Sequence, residues 1–134
     1  MKSPHILSQY SVRATIVALL RHGDASLQRA ASRLEISPRS LQRRLTAMGK
    51  SYSEMVAEVR VDTACHLLAE SDQSISNIAC RLGYSGASSF SRTFMRLMKI
   101  QPIVYRRQQM VQRASGRYEG RKRPVRSRRS DMVE

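Results

Sequence analysis

Apolar side chains recur along this chain at helical intervals, in runs broken by serine, glycine and proline. Val12, Ile16, Leu19 and Leu20 follow the spacing of one helix face. Ser11 predicts the N-cap of that helix, and Gly23 predicts its end just after His22. Leu27, Ala30, Ala31 and Leu34 predict a short second helix capped by Ser26, with Glu35-Ile36 as the turn that follows. Ser37-Pro38 is a strong helix start, because serine caps and a proline in the first turn forfeits no needed N–H. That third helix should reach about Met48, before Gly49. Leu41, Leu45 and Met48 form its inward stripe, and Arg39, Gln42, Arg43 and Thr46 fall on the other side.

A long helix is predicted next, over 53–69, with Ser51 or Ser53 as its cap. Its stripe is Ala57, Val61, Ala64, Cys65 and Leu68, with Met55 and Val56 packing near its start. At 1.5 Å per residue such a helix spans about 25 Å. A short helix from Ser74 carries Ile75, Ile78, Ala79 and Leu82, and Gly83 is placed to end it with a positive φ. Ser85-Gly86 leads into a helix over 87–98, with Phe90, Phe94 and Leu97 inward and Ser88, Ser91, Arg92 and Met95 outward. Pro102 marks a break before a last helix over 103–109. The apolar period fades from Val111, and the basic stretch 113–129, with Gly116, Gly120 and Pro124, predicts a disordered tail. No stretch alternates like a strand. The expectation is an all-α fold of about seven helices, with a flexible segment at 1–10, an ordered domain at 11–108 and a basic tail at 109–134.

One pattern occurs twice. The first copy reads AASRLEISPRSLQRRL (residues 30–45) and the second IACRLGYSGASSFSRTF (residues 78–94). Ala31, Arg33, Leu34 and Ser37 align with Ala79, Arg81, Leu82 and Ser85. With one extra residue in the second turn, Ser40, Leu41, Arg43 and Leu45 align with Ser89, Phe90, Arg92 and Phe94. Each copy reads as a short helix, a tight turn and a longer helix with one apolar and one cationic face, the build of a helix-turn-helix. The domain thus divides into one such unit at 26–48, a linker helix at 53–70 and a second unit at 74–98.

Charge narrows the class of partner. The 134 residues include 24 Lys+Arg against 10 Asp+Glu, a formal net charge of +14, which favours polyanions. Residues 1–105 carry 14 basic and 7 acidic side chains, so the excess is not confined to the tail. No apolar run approaches the roughly 18 residues of a membrane span, and the start does not lead into a signal-peptide core. The expected location is cytoplasmic, at the bacterial nucleoid, with no membrane partner. Cys65 and Cys80 fit no metal or redox spacing and are expected to pack as small hydrophobes. His5, His22 and His66 are scattered, and no carboxylate pair, phosphate loop or nucleophile–base cluster is present. Neither an enzyme nor a cofactor or metal is expected.

The order of elements resembles the DNA-binding domain of the AraC/XylS transcriptional regulators. The resemblance rests on Ile78-Ala79 before Leu82-Gly83-Tyr84, then Phe90 and Arg92-Thr93-Phe94, then Gln101-Pro102 and Tyr105-Arg106, and in the first half on the run from Ser37 to Arg43. It covers about residues 10–108. It departs from the family in three ways: Glu35 stands where the second copy has Gly83, Ala87, Ser88 and Ser91 are small, and only about ten residues precede the first helix. The chain is then either a short member binding DNA as a monomer or a piece of a longer regulator with a dimerising domain.

The resemblance implies a sequence-specific, double-stranded-DNA-binding regulator, an activator, with two recognition helices in adjacent major grooves. It makes Arg39, Gln42 and Arg43 the base readers. That suits their chemistry, since Arg pairs with guanine O6 and N7 and Gln with adenine N6 and N7. Thr46 shares their face. Arg92 is the leading candidate of the second unit, beside Ser88 and Ser91. Ser37, at a helix N-terminus, and Arg44 and Arg96, with Arg81 and Lys99, are candidates for phosphate contact. Two helices reading successive grooves need about 34 Å between them, or the DNA must bend. The alternatives are a general polyanion or RNA binder, disfavoured by two Phe, five Tyr and no Trp for base stacking, and an adaptor that contacts RNA polymerase.

Overall fold

The computed structural model describes residues 7–119, and within them the chain is seven α-helices without a strand. The helices are α1 (Gln9–Arg21), α2 (Leu27–Arg33), α3 (Pro38–Ala47), α4 (Tyr52–Glu70), α5 (Ile75–Arg81), α6 (Ala87–Met98) and α7 (Pro102–Glu119). Most are started by the serines that the sequence places before them. Ser26, Ser37, Ser51 and Ser74 each accept the N–H of the residue three ahead, at 3.0–3.2 Å.

One helix begins earlier than expected. The cap of α1 is Ser8, not Ser11: the two serines exchange backbone N–H to Oγ bonds of 3.1 Å in a reciprocal capping box, which draws Gln9 and Tyr10 into the helix. By contrast α6 begins at Ala87 as expected; its cap is Gly86, no side chain closes that end, and the Ser85 hydroxyl pairs with Ser89 Oγ.

Two apolar cores form, and α4 serves both. Val12, Ile16, Leu19, Ala30, Ala31, Leu41 and Leu45 close over Tyr52, Met55, Val56 and Val59. Ile78, Ala79, Leu82, Phe90 and Phe94 close over Val61, Ala64, Cys65 and Leu68. At about 100° per residue, the residues that α4 gives the first core lie roughly opposite those it gives the second. One helix is therefore clasped on opposite faces by two units. The expected stripe extended the second face back to Ala57, which is only half-buried, and it missed Tyr52 and Val59, which are buried.

The last helix outruns its expected end. It continues past Gln109 to Glu119, through the first part of what reads as a disordered tail. The cause is tertiary. Arg106 donates to the carbonyls of Leu68 and Ser71 at 3.0 Å, and Arg113, two turns on, donates to Ala69 at 2.8 Å. These arginines satisfy carbonyls that the end of α4 leaves without intrahelical donors. The rest of the expected tail, and residues 1–6, lie outside the described residues. Cys65 is buried as expected, but Cys80 is exposed, on the outer side of α5.

Candidate nucleic-acid interface

The two turns are built alike, bond for bond. In the first, Glu35 N–H donates to Ser32 O at 3.1 Å and Ile36 N–H reaches back to Ala31 O at 3.0 Å. In the second, Gly83 N–H donates to Cys80 O at 3.1 Å and Tyr84 N–H to Ala79 O at 3.0 Å. Both are Schellman closures, which need a left-handed residue in the middle. Gly83 supplies it at φ 90°, and Glu35 adopts it at φ 62° despite its side chain. The departure at position 35 therefore leaves the turn intact.

Past the turn, Leu41 and Leu45 of α3, and Phe90 and Phe94 of α6, are fully buried. Burying those positions turns the remaining face of each helix outward. On α3 that face is Arg39, Gln42, Arg43 and Thr46, at i, i+3, i+4 and i+7, all exposed. On α6 the matching positions are Ser88, Ser91, Arg92 and Met95; Ser91 is half-buried and the others are exposed. Neither helix contains an acidic residue. The four α3 residues line one groove of about 480 Å³ together with Ser51 and Tyr52. Sequence reasoning missed the last two. Ser51 was noticed only as a cap, and Tyr52 falls off the stripe assumed for the linker helix.

The candidate cations divide by what they already hold. Among the described residues, the side chains of Arg39, Gln42, Arg43, Thr46 and Arg92 make no hydrogen bond or ion pair. Arg96 is committed: its Nη1 donates to Glu54 Oε2 at 2.9 Å, and that bond, with the carboxylate's charge, pushes the guanidinium's pKa up. Lys99 Nζ donates to Arg96 O at 3.1 Å. The Ser37 hydroxyl is spent on the α3 cap, and Arg44 and Arg81 are exposed at the last turns of α3 and α5. Ser88, Ser91 and Arg92 share the α6 face.

Two tyrosines tie the units to the linker. Tyr52 donates its hydroxyl to Ala25 O at 2.8 Å, and burial above all pushes its pKa up to about 12. Tyr84 lies against Phe90, with ring centroids 5.4 Å apart, and burial raises its pKa too. No helix among the described residues is long and apolar enough to cross a membrane.

Known proteins with this build are regulators. A family model described as a helix-turn-helix domain matches residues 30–108. The HTH-type transcriptional regulator VirS of Mycobacterium tuberculosis is 32% identical over 110 residues, covering 79% of this chain and 32% of its own length. The chain spans about a third of the length of the first curated relatives it matches. Among solved structures, a regulator from Chromobacterium violaceum described by its AraC-type DNA-binding domain superposes with a TM-score of 0.65 at 26% identity, covering 75% of this chain and 93% of that one. The DNA-binding domain of the global transcriptional factor AdpA, solved with a target DNA, superposes with a TM-score of 0.64 at 28% identity over 78% of this chain and 97% of that one.

Proposed function

The chain belongs to the AraC-type helix-turn-helix family of transcriptional regulators, and from that premise we propose that it reads double-stranded DNA by laying α3 and α6 in adjacent major grooves. The observation that carries this reading is the α3 face. Arg39, Gln42, Arg43 and Thr46 stand in line, exposed and uncommitted, around one groove. Arg29 and Arg96 are exposed but hold carboxylates, whereas Arg33, Arg44 and Arg81 are, like the α3 residues, exposed and make no side-chain hydrogen bond or ion pair among the described residues. What sets the α3 four apart is that they share one helix face and line one groove. Arg43 and Gln42 reach base edges as bidentate donors and acceptors, and Arg39, at the start of the helix, takes a phosphate or a base.

The second unit works differently. Ser88 and Ser91 are too short for long-range base contacts, so Arg92 and the backbone do most there. The first N–H groups of α6 lack a side-chain cap and are suited to a phosphate oxygen. The operator is accordingly asymmetric: one sub-site is read by bases, the other by phosphates and DNA shape, about one helical turn away. One chain engages both sub-sites as a monomer. Transcriptional activation through contact with RNA polymerase is the outcome the family resemblance suggests. Against a stacking mode of RNA binding, Tyr84, Phe90, Phe94 and Tyr105 pack on one another in the second core and offer no stacking platform.

Selection of bound sequences from a random duplex pool, followed by footprinting, tests the reading. The expected result is two unequal sub-sites on one face of the duplex, with the selected site bound about 10³-fold or more tighter than scrambled DNA. A single short protected half-site, or equal affinity for scrambled duplex, would refute it. A promoter fused to a reporter, with and without the protein, gives the sign of regulation.

A further inference from the structure

No buried residue is shared between the two cores. On α4 the first ends at Val59 and the second begins at Val61. Arg60 stands between them and reaches across to the second turn. Its Cζ lies 5.3 Å from the centroid of the Tyr84 ring, and its Nη2 is 3.2 Å from the point a Cβ on Gly83 would occupy. The Arg60 Nε is buried without a hydrogen-bond acceptor among the described residues, and the buried Tyr84 hydroxyl faces the side chains of Arg60 and Thr93. Glu54 makes a second crossing. It belongs to the half of α4 that packs the first unit, yet by helix rotation it lies on the side the second unit uses, and it holds Arg96 of α6 at 2.9 Å.

We propose that the Arg60–Tyr84 stack and the Glu54–Arg96 ion pair are positioning contacts: they fix the distance and rotational phase between α3 and α6, and so set the spacing of DNA sub-sites the protein accepts. Stability is a poor account of either contact. The ion pair is about half-exposed, where such pairs add little to folding. The stack sets a planar guanidinium against a ring face, a contact that depends on the angle at which the two meet. Direction is what both supply. A planar guanidinium over a ring, beside a glycine that leaves it room, holds one angle where an ammonium would swivel. Moving a sub-site by one base pair displaces it about 3.4 Å along the duplex and about 34° around it. A displacement of that size takes a 2.9 Å ion pair out of hydrogen-bonding range.

The inference rests on the two-groove reading, and the test separates the two. The operator obtained by selection is synthesised with one base pair added or removed between its sub-sites, and binding is followed by fluorescence anisotropy. The wild type should bind both altered duplexes at least about tenfold more weakly than the native one. In Glu54→Gln and in Arg60→Lys that ratio should fall to about threefold or less, while Glu54→Gln keeps wild-type affinity for a duplex carrying the α3 sub-site alone. Reversing the pair, with Glu54→Arg and Arg96→Glu together, should restore the ratio. Circular dichroism melting confirms that each variant is folded. A wild type without sequence preference sinks the two-groove reading itself. A wild type that discriminates sites but not spacings, single variants that retain the full ratio, or a reversed pair that fails to restore it overturns the positioning role and leaves that reading standing.

Discussion

Arg43 and Arg92 occupy the same place in the two repeats, yet their substitution by alanine should give different losses. Both are exposed and make no hydrogen bond or ion pair among the described residues. Removing either should leave folding stability within about 0.5 kcal/mol of the wild type, as for other surface positions. Any loss of binding is then a loss of contact with DNA. Arg43 stands in a groove with Arg39, Gln42 and Thr46, so its guanidinium is placed to take a guanine edge. A bidentate pair of that kind discriminates by about 1–3 kcal/mol, or about 5- to 150-fold in affinity for the selected site. Arg92 stands among Ser88, Ser91 and Met95, and the long polar side chain one turn on, Arg96, is already held by Glu54. Its loss should weaken all duplexes alike and lower the slope of log K against log salt by about 1.

The assay is a salt titration of each variant on the selected operator and on a scrambled duplex, with a second round of sequence selection on Arg43→Ala. The expected outcome for Arg43→Ala is relaxed preference at one or two adjacent base pairs with nearly unchanged binding to scrambled DNA. For Arg92→Ala it is parallel weakening on both duplexes. If Arg43→Ala selects the same sequence as the wild type at every position, α3 does not read bases through this residue. If that variant melts well below the wild type, the residue is doing something in the fold that its exposure does not account for.

The turns and the cores carry three further expectations. Gly83→Ala forces a side chain into a left-handed conformation and sets a Cβ 3.2 Å from Arg60 Nη2, so thermal melting should show a loss of about 1–2 kcal/mol. Phe90→Ala empties the centre of the Tyr84–Phe90–Phe94 stack and should cost about 3–5 kcal/mol in urea unfolding. The Tyr52 hydroxyl has its pKa raised from 10 to about 12, so the unfolded chain loses that proton first; stability should be intact below pH 10 and fall as pH climbs toward 12, by about 2–3 kcal/mol from this group. In Tyr52→Phe that part of the alkaline decline should vanish, and an unchanged decline would assign it to another group.

What the chain revealed in advance depended on whether the relevant physics was local. Caps at Ser26, Ser37, Ser51 and Ser74 were legible because a serine hydroxyl three residues from an N–H is a local device. The outward face of α3 was legible because Leu41 and Leu45 fix the inward one. Two features were hidden because they are set by distant partners. The length of α7 depends on Arg106 and Arg113 finding carbonyls at the end of α4, and nothing near Val111 in sequence announces that. The linker helix misled for a related reason. A single apolar stripe is the signature of a helix with one buried face, and α4 has two, on opposite sides of its two halves.

That same double burial explains how one scaffold can be repeated without repeating its specificity. The turns, their hydrogen bonds and the two buried positions of each recognition helix are shared, and these are the parts that folding constrains. The outward residues at matching positions, Arg39 and Ser88, Gln42 and Ser91, Thr46 and Met95, differ in size and polarity. Most are exposed and make no side-chain hydrogen bond or ion pair among the described residues, so folding places little demand on their identity. Under the two-groove proposal, what cannot drift freely is the angle between the two faces, because a duplex presents its grooves at fixed intervals. The contacts at that angle, Arg60 on Tyr84 and Glu54 on Arg96, are accordingly polar and directional, where the cores on either side are apolar and adaptable.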